Sequence, residues 1–182
     1  IQRTLAAALR TGGDFAEVFV EDKRSSSAML DDGRVEELSS GRDRGAGIRV
    51  VVGETTGFAH TADLSEEGLR AAAEAAAAAA RSGGGGVREV ALTRRDAPRP
   101  NGVEVLPETV AKGAKVELLR RADDAARSAG AAIRQARARY GDSRRRILVA
   151  NSEGVLAEDD QVRTLFVVSA VAVGDTGMQT GY

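Results

Sequence analysis

Residues 70–80 read "RAAAEAAAAAA", and no other stretch restricts the fold as tightly. Alanine is the strongest helix former and loses no side-chain freedom in a helix. Such a helix carries little apolar bulk, so it must gain its stability by lying close against a flat partner such as a sheet. The surrounding "DLSEEGLRAAAEAAAAAARSGGGG" supplies the punctuation. Asp63 or Ser65 can cap the start, Glu66 and Glu67 suit the positive end of the dipole, and Gly83 to Gly86 stop it. Aromatic residues make up only 3% of the chain against 42% hydrophobic, so the core is predicted to be aliphatic.

Strand patterns surround this helix. "IQRTLAAALRTGG" predicts a short helix with Leu5 and Leu9 on one face and Gly12-Gly13 as its stop. "DFAEVFVEDKR" alternates, with Ala16, Val18 and Val20 on one side and Phe15, Glu17, Phe19 and Glu21 on the other. Period two predicts a strand. "SAMLDDGRVEEL" places Asp32-Gly33 between two short alternating runs, a strong hairpin signal. "GIRVVVG" and "TTGFAHTA" add strands on either side of a turn at Gly53-Glu54. After an irregular stretch, "PETVAKGAKVELLRRADDAARSAG" predicts an amphipathic helix with Leu118, Ala122, Ala125 and Ala129 on its apolar stripe. Strands are then expected at 132–140, 144–150, 155–158 and 162–173, the middle pair joined by a turn at "NSEG". The predicted class is α+β, antiparallel meanders packed against helices in two helix-plus-sheet units. The expected organisation is an N-terminal unit at 1–86, a linker at 87–106, and the truncated start of a second, central unit at 107–182. The start at Ile1 and the stop at "MQTGY" predict a piece of a longer protein.

Charge narrows the function classes. The 26 basic and 27 acidic residues leave a formal net charge of −1. That balance argues against direct nucleic-acid or membrane-surface binding, which favours a basic surplus. The absence of cysteine removes disulfides and thiolate chemistry from this chain. No apolar run approaches membrane-spanning length, and a cytoplasmic protein is the expectation.

No complete catalytic constellation emerges from the residues. In "SGRDRGAGIRVVVG" the glycines Gly41, Gly45 and Gly47 suggest a phosphate loop, but no third fingerprint glycine follows Gly47 and no Gly-Lys-Ser/Thr occurs. Gly45 and Gly47 are better explained by tight backbone packing or a bulge where a strand begins. His60, the single histidine, has no ligand-spaced partner and is expected to be a packed or half-exposed strand residue. The arginines at 134, 137, 139 and 144–146 are expected on a solvated strand face with cross-strand ion pairs. Asp123-Asp124 and Glu66-Glu67 are expected on helix surfaces, and Ser25 to Ser27 and Ser152 have no visible base. The run "TLFVVSAVAV" predicts a buried core strand, with a sheet edge that binds an extended peptide as the alternative.

The order of motifs resembles the TldD/PmbA family of zinc-dependent peptidases, earlier described as modulators of DNA gyrase. "DGRVEELSSGRDRGAGIRVVVGETTGFAHTADLSEEGL" looks like the amino-terminal signature of that family. "KVELLRRADDAARSAG", "YGDSRRRILVANSEGVLAEDD" and "VSAVAVGDTGMQTGY" look like the segment that follows it. "SSGRDRGAGIRV" before "GFAHTADLS" is more similar to the TldD branch, which carries the metal, than to the PmbA/TldE branch. The resemblance implies a zinc cofactor in the parent protein, held by an H-E-x-x-x-H stretch that this chain lacks. No catalytic or metal-binding residue is carried over, and the substrate-binding residues stay unknown. The implied role is a scaffold or substrate channel in an enzyme that cleaves unfolded or small peptides, inactive as this chain alone. A non-catalytic PmbA/TldE-like assembly subunit is the alternative, and a regulator of DNA gyrase the third reading. Implied partners are a peptide substrate and a second subunit, in a homodimer or in a heterodimer with a PmbA/TldE-like paralogue.

Overall fold

The strand that begins at Phe15 continues well past residue 21, through a polar stretch, and β1 runs unbroken from Phe15 to Asp31. The computed structural model describes residues 1–80, 90–96 and 102–182. Around β1 stand helix α1 (Gln2–Leu9), β2 (Arg34–Val52), β3 (Thr55–Thr61), α2 (Glu66–Ala79) and β4 (Thr93–Asp96). A 3-10 turn at Pro107–Thr109 leads into α3 (Lys112–Ser128), followed by β5 (Ile133–Asn151), β6 (Val155–Gly174) and β7 (Gly177–Gly181). The strand order is β3-β2-β1-β5-β6-β4, with β7 beside β6. The predicted α+β class holds, although β4 joins β6 in parallel, from Thr93 opposite Val155 to Asp96 opposite Glu158.

Two compact units are present. The first comprises Ile1–Lys23, Asp43–Asn101 and Arg145–Asp160, and the second Arg24–Arg42, Gly102–Arg144 and Gln161–Tyr182. Strands β1, β2, β5 and β6 contribute residues to both.

In the first unit the small residues of α2 have the predicted use. Leu69, Ala72, Ala73, Ala76, Ala77 and Ala80 are buried at helical spacing against Ala16 and Val18 of β1 and Ile48 and Val50 of β2. Gly57 of β3 shows how close the approach is, because a Cβ there would meet the Ala76 carbonyl oxygen at 2.0 Å. Ser65 is the N-cap, its Oγ accepting from the Gly68 N–H at 3.1 Å, while Asp63 accepts from the Ser65 N–H at 2.9 Å. The opposite face of β1 is polar and aromatic. Arg49 reaches Glu17 at 3.3 Å and lies over the Phe15 ring, and Arg145 reaches Glu21 at 2.6 Å and lies over Phe19. Such pairs add modestly to stability.

In the second unit the β1–β2 hairpin turns where expected. Asp32 and Gly33 both take positive φ, 53° and 77°, as a two-residue turn matched to strand twist requires. Leu119 of α3 packs with Ala28 and Leu30 of β1 and Ala138 and Tyr140 of β5.

Several expectations are corrected. The strands expected at 132–140 and 144–150 are one strand, β5, and those at 155–158 and 162–173 are both part of β6. Polar stretches interrupt the apolar alternation there, but the backbone ladder continues through them. "SGRDRGAGIRVVVG" likewise lies inside β2 up to Val52 rather than opening it, with Gly53 in the turn that follows. Its glycines do serve close packing: a Cβ on Gly45 would sit 2.9 Å from the Thr61 carbonyl oxygen, and one on Gly47 3.0 Å from the Phe58 ring. The buried stripe of α3 is Lys115, Leu119 and Asp123, so Ala125 and Ala129 are exposed and Asp123 is not a surface residue. The predicted core strand "TLFVVSAVAV" is largely open, with Leu165 56%, Phe166 42% and Val167 38% exposed. Of the linker expected at 87–106, residues 87–89 and 97–101 lie outside the described residues, as do Gly83 to Gly86, and Thr93–Asp96 form β4.

Candidate functional site

A buried ion pair anchors a cleft in the second unit. Lys115 lies one turn before Leu119 on α3, so the helix that packs Leu119 into the core also carries an ammonium inward. Burying a charge without a partner costs several kcal/mol, roughly, so a counter-ion is required. Asp142 of β5 supplies it: Lys115 Nζ donates to Asp142 Oδ2 at 2.6 Å, with both side chains only 6% exposed. Ser26 of β1 closes the set. Its hydroxyl donates to Asp142 at 2.8 Å and accepts from Lys115 at 2.8 Å. The Lys115 ammonium also stands 5.4 Å from the centre of the Tyr140 ring.

The electrostatics follow from this packing. Burial pushes the Asp142 carboxyl up, but the bonds from Lys115, Ser26 and Tyr140 together outweigh it and hold the group below its ordinary value. The Tyr140 phenol is pushed up to about 12, first by burial and then by its bond to the Asp142 carboxylate. The neutral phenol is therefore favoured in the folded protein. Its contribution to stability is complete below pH about 10 and is lost as pH rises through about 12. Ultraviolet titration of a Tyr182→Phe variant is expected to show Tyr140 ionising near that upper value or on unfolding; ionisation near 10 in the folded protein would contradict the network.

The network forms one wall of a cleft of about 470 Å³ within the second unit. Arg24, Arg42, Lys112, Lys115 and Arg144 line it, with Glu108 and Asp142 as the acidic residues. Glu108 accepts from Arg144 at 2.6 Å, and that bond holds its carboxyl below the ordinary value. Helix α3 opens beside the cleft with no side-chain cap and no acidic residue in its first turn.

The residues singled out from sequence are dispersed. His60 lies exposed on β3, its ring stacked on Phe58 at 6.3 Å. Ser152 bonds the Ala16 N–H at 3.0 Å. The arginines do form ion pairs: Arg137 with Asp31, Arg144 with Glu108, Arg145 with Glu21 and Arg146 with Asp22. Among the described residues, no three of His, Cys, Asp and Glu converge so as to hold a metal ion. Among the described residues, no helix is long and apolar enough to cross a membrane. Lys115 and Asp142 escaped the sequence reading. The available signal was an Asp in the middle of an alternating strand and a Lys in register with Leu119.

Fold and sequence can be set beside known proteins. Residues 16–80 match the family described as PmbA/TldA metallopeptidase domain 1, and residues 106–182 match its central domain. The chain is 30% identical over 166 residues to the "Metalloprotease TldD homolog" of Haemophilus influenzae, covering 90% of this chain and 34% of that protein. It is 30% identical over 173 residues to a "Metalloprotease" of Methanothermobacter thermautotrophicus, covering 93% and 36%. The chain thus spans about a third of the length of the curated relatives it matches. The crystal structure of TldE from Thermococcus kodakarensis shares the fold with a TM-score of 0.75 at 19% identity, covering 97% of this chain and 40% of that one. A Thermotoga maritima structure whose description relates it to modulation of a DNA gyrase superimposes with a TM-score of 0.78 at 16% identity, over 98% and 40%. Together these define a class, the α+β amino-terminal region of metallopeptidase-like proteins. The chain belongs to the PmbA/TldD family.

Proposed function

We propose that this chain is the scaffold and substrate-channel region of a TldD-like zinc metallopeptidase that cleaves unfolded or small peptides in the cytoplasm. The observation that carries the reading is the match of two consecutive domains of one metallopeptidase family. The open face of β6 supports it. Among the described residues, β7 pairs with β6 only from Ala170 to Gly174, and Leu165, Phe166 and Val167 precede that segment exposed. An extended peptide can add to such an edge through backbone bonds while its side chains meet the apolar residues. Catalysis is assigned to residues outside this chain, and the unit boundaries near 86 and 107 are proposed as those of the parent protein.

The test uses the full-length protein loaded with zinc. Hydrolysis of an unfolded peptide, abolished by a chelator, is expected. With Leu165→Glu and Val167→Glu together, KM should rise about tenfold or more at little change in kcat, since about 1.4 kcal/mol of lost binding is tenfold. Hydrolysis that appears only after a paralogous subunit is added would favour the assembly-subunit reading instead. An unchanged KM would remove β6 from the substrate path.

A further inference from the structure

The cleft in the second unit concentrates positive charge in a chain whose overall balance is −1. Its two carboxylates are already engaged, Asp142 by Lys115 and Ser26 and Glu108 by Arg144. Arg24 also acts on Glu108, and with Lys112 it leaves the lining with more positive charge than its two carboxylates balance. An ion pair that is 6% exposed on both sides fixes the wall formed by Lys115, Asp142 and Ser26. Gly41 lies in the lining beside Ser25, where an added Cβ would make an ordinary 3.8 Å contact with the serine hydroxyl. The uncapped start of α3 adds the positive end of a 17-residue helix to the same field.

We propose that this cleft binds a carboxylate of a peptide, from an acidic side chain or a free C-terminus, so that the chain gives its parent protein a preference for peptides that present one there. The identity of the ligand follows from what the lining offers and withholds. None of the described residues that line the cleft is aromatic, so none offers a base a ring to stack on, which argues against a nucleotide. Glu108 and Asp142 remain in the wall, and they repel a dianionic phosphate more strongly than a monoanionic carboxylate. The arginines present planar donor forks that match a carboxylate, and Ser25 and Ser40 add hydroxyls beside them. The peptide part of this inference rests on the peptidase reading above; the carboxylate part rests on the cleft.

Three fluorescent hexapeptides separate the possible sources of the carboxylate. One carries an internal Glu and an amidated end, one a Gln and a free C-terminal carboxylate, and one a Gln and an amidated end. Measured by anisotropy on this chain at low salt, at least one charged peptide should bind about tenfold or more tightly than the neutral one. Whichever does so identifies the source, side chain or terminus. The preference should shrink between about 0.05 and 0.5 M salt, as screening of partly exposed charges requires. Arg24→Glu with Lys112→Glu should abolish it, and so should Gly41→Leu, which adds bulk beside Ser25 in the lining. Circular dichroism shows which variants are folded. Equal binding of all three peptides, or a preference that survives in both folded variants, would overturn the proposal. Displacement by inorganic phosphate at concentrations below those of either charged peptide would overturn the assignment to a carboxylate. Hydrolysis by the zinc-loaded full-length protein is scored separately. Cleavage with no preference for the peptide that carries the bound carboxylate defeats this proposal and leaves the peptidase reading, whereas carboxylate-dependent binding without cleavage does the reverse.

Discussion

Lys115→Met is expected to destabilise the protein by about 3–5 kcal/mol, the cost of leaving a buried partner charge uncompensated. Methionine fills the space of the lysine stem, so the loss comes from electrostatics and not from a cavity. Asp142 would retain only Ser26 and Tyr140 as donors in a site where it is 6% exposed. Chemical denaturation at neutral pH reads the loss directly, and the thermal midpoint should fall by roughly 10 °C for a chain of this size. The double variant Lys115→Met/Asp142→Leu removes both charges and should recover most of the stability. Acid provides an independent check on the same pair. Asp142 is held below its ordinary value of 3.8, so its contribution is present above that pH and is lost as pH falls below it. The Lys115→Met variant should show a smaller loss over that acid range. A double variant no more stable than Lys115→Met would mean that packing, and not charge, is what the lysine provides.

Gly57→Ala is expected to cost about 3 kcal/mol, at the upper end of what overpacking commonly produces. The added methyl would lie 2.0 Å from the Ala76 carbonyl oxygen and 2.4 Å from the Ala80 nitrogen. Both are backbone atoms of α2 or its cap, so no side chain can rotate away and the helix must lift from β3. Lifting exposes the alanine face, whose burial is the reason the helix is stable in the fold. Gly41→Ala provides the control, because its Cβ would make only an ordinary 3.8 Å contact with Ser25 Oγ. Equal stability of the two variants by urea denaturation would show that α2 has room to move.

These two sites mark the boundary of what sequence could reveal. The alanine run announced a helix laid flat on a sheet, and Ser65 and Asp32-Gly33 announced a cap and a turn. All of these depend on residues close together in the chain. Gly57 is different, because its partner helix had been identified but nothing in "TTGFAHT" says which residue lies under it. Lys115 and Asp142 are further out of reach. They lie on separate elements, and each alone reads as an ordinary charged residue. The long strands were missed for a related reason. Asp142 and the arginines after it interrupt the hydrophobic alternation, yet tertiary partners such as Glu108 and Glu21 satisfy them within a continuous β5. Exposure of "TLFVVSAVAV" was also invisible locally, since an apolar run reads alike whether it is covered or open.

The way the units divide the chain has a consequence for biosynthesis. The first unit draws its segments from Ile1–Lys23, Asp43–Asn101 and Arg145–Asp160, with Ala150 in its core. A ribosome delivers Ala16, Ile48 and the whole alanine helix long before it delivers that last segment. The early residues must therefore wait, with part of their apolar surface uncovered, until the chain has been made to about residue 160. Contacts across so many residues also form slowly, because loop closure precedes any gain from them. The nascent chain thus passes through a stage when chaperone capture competes with folding, and translation speed between α2 and β6 governs how long that stage lasts.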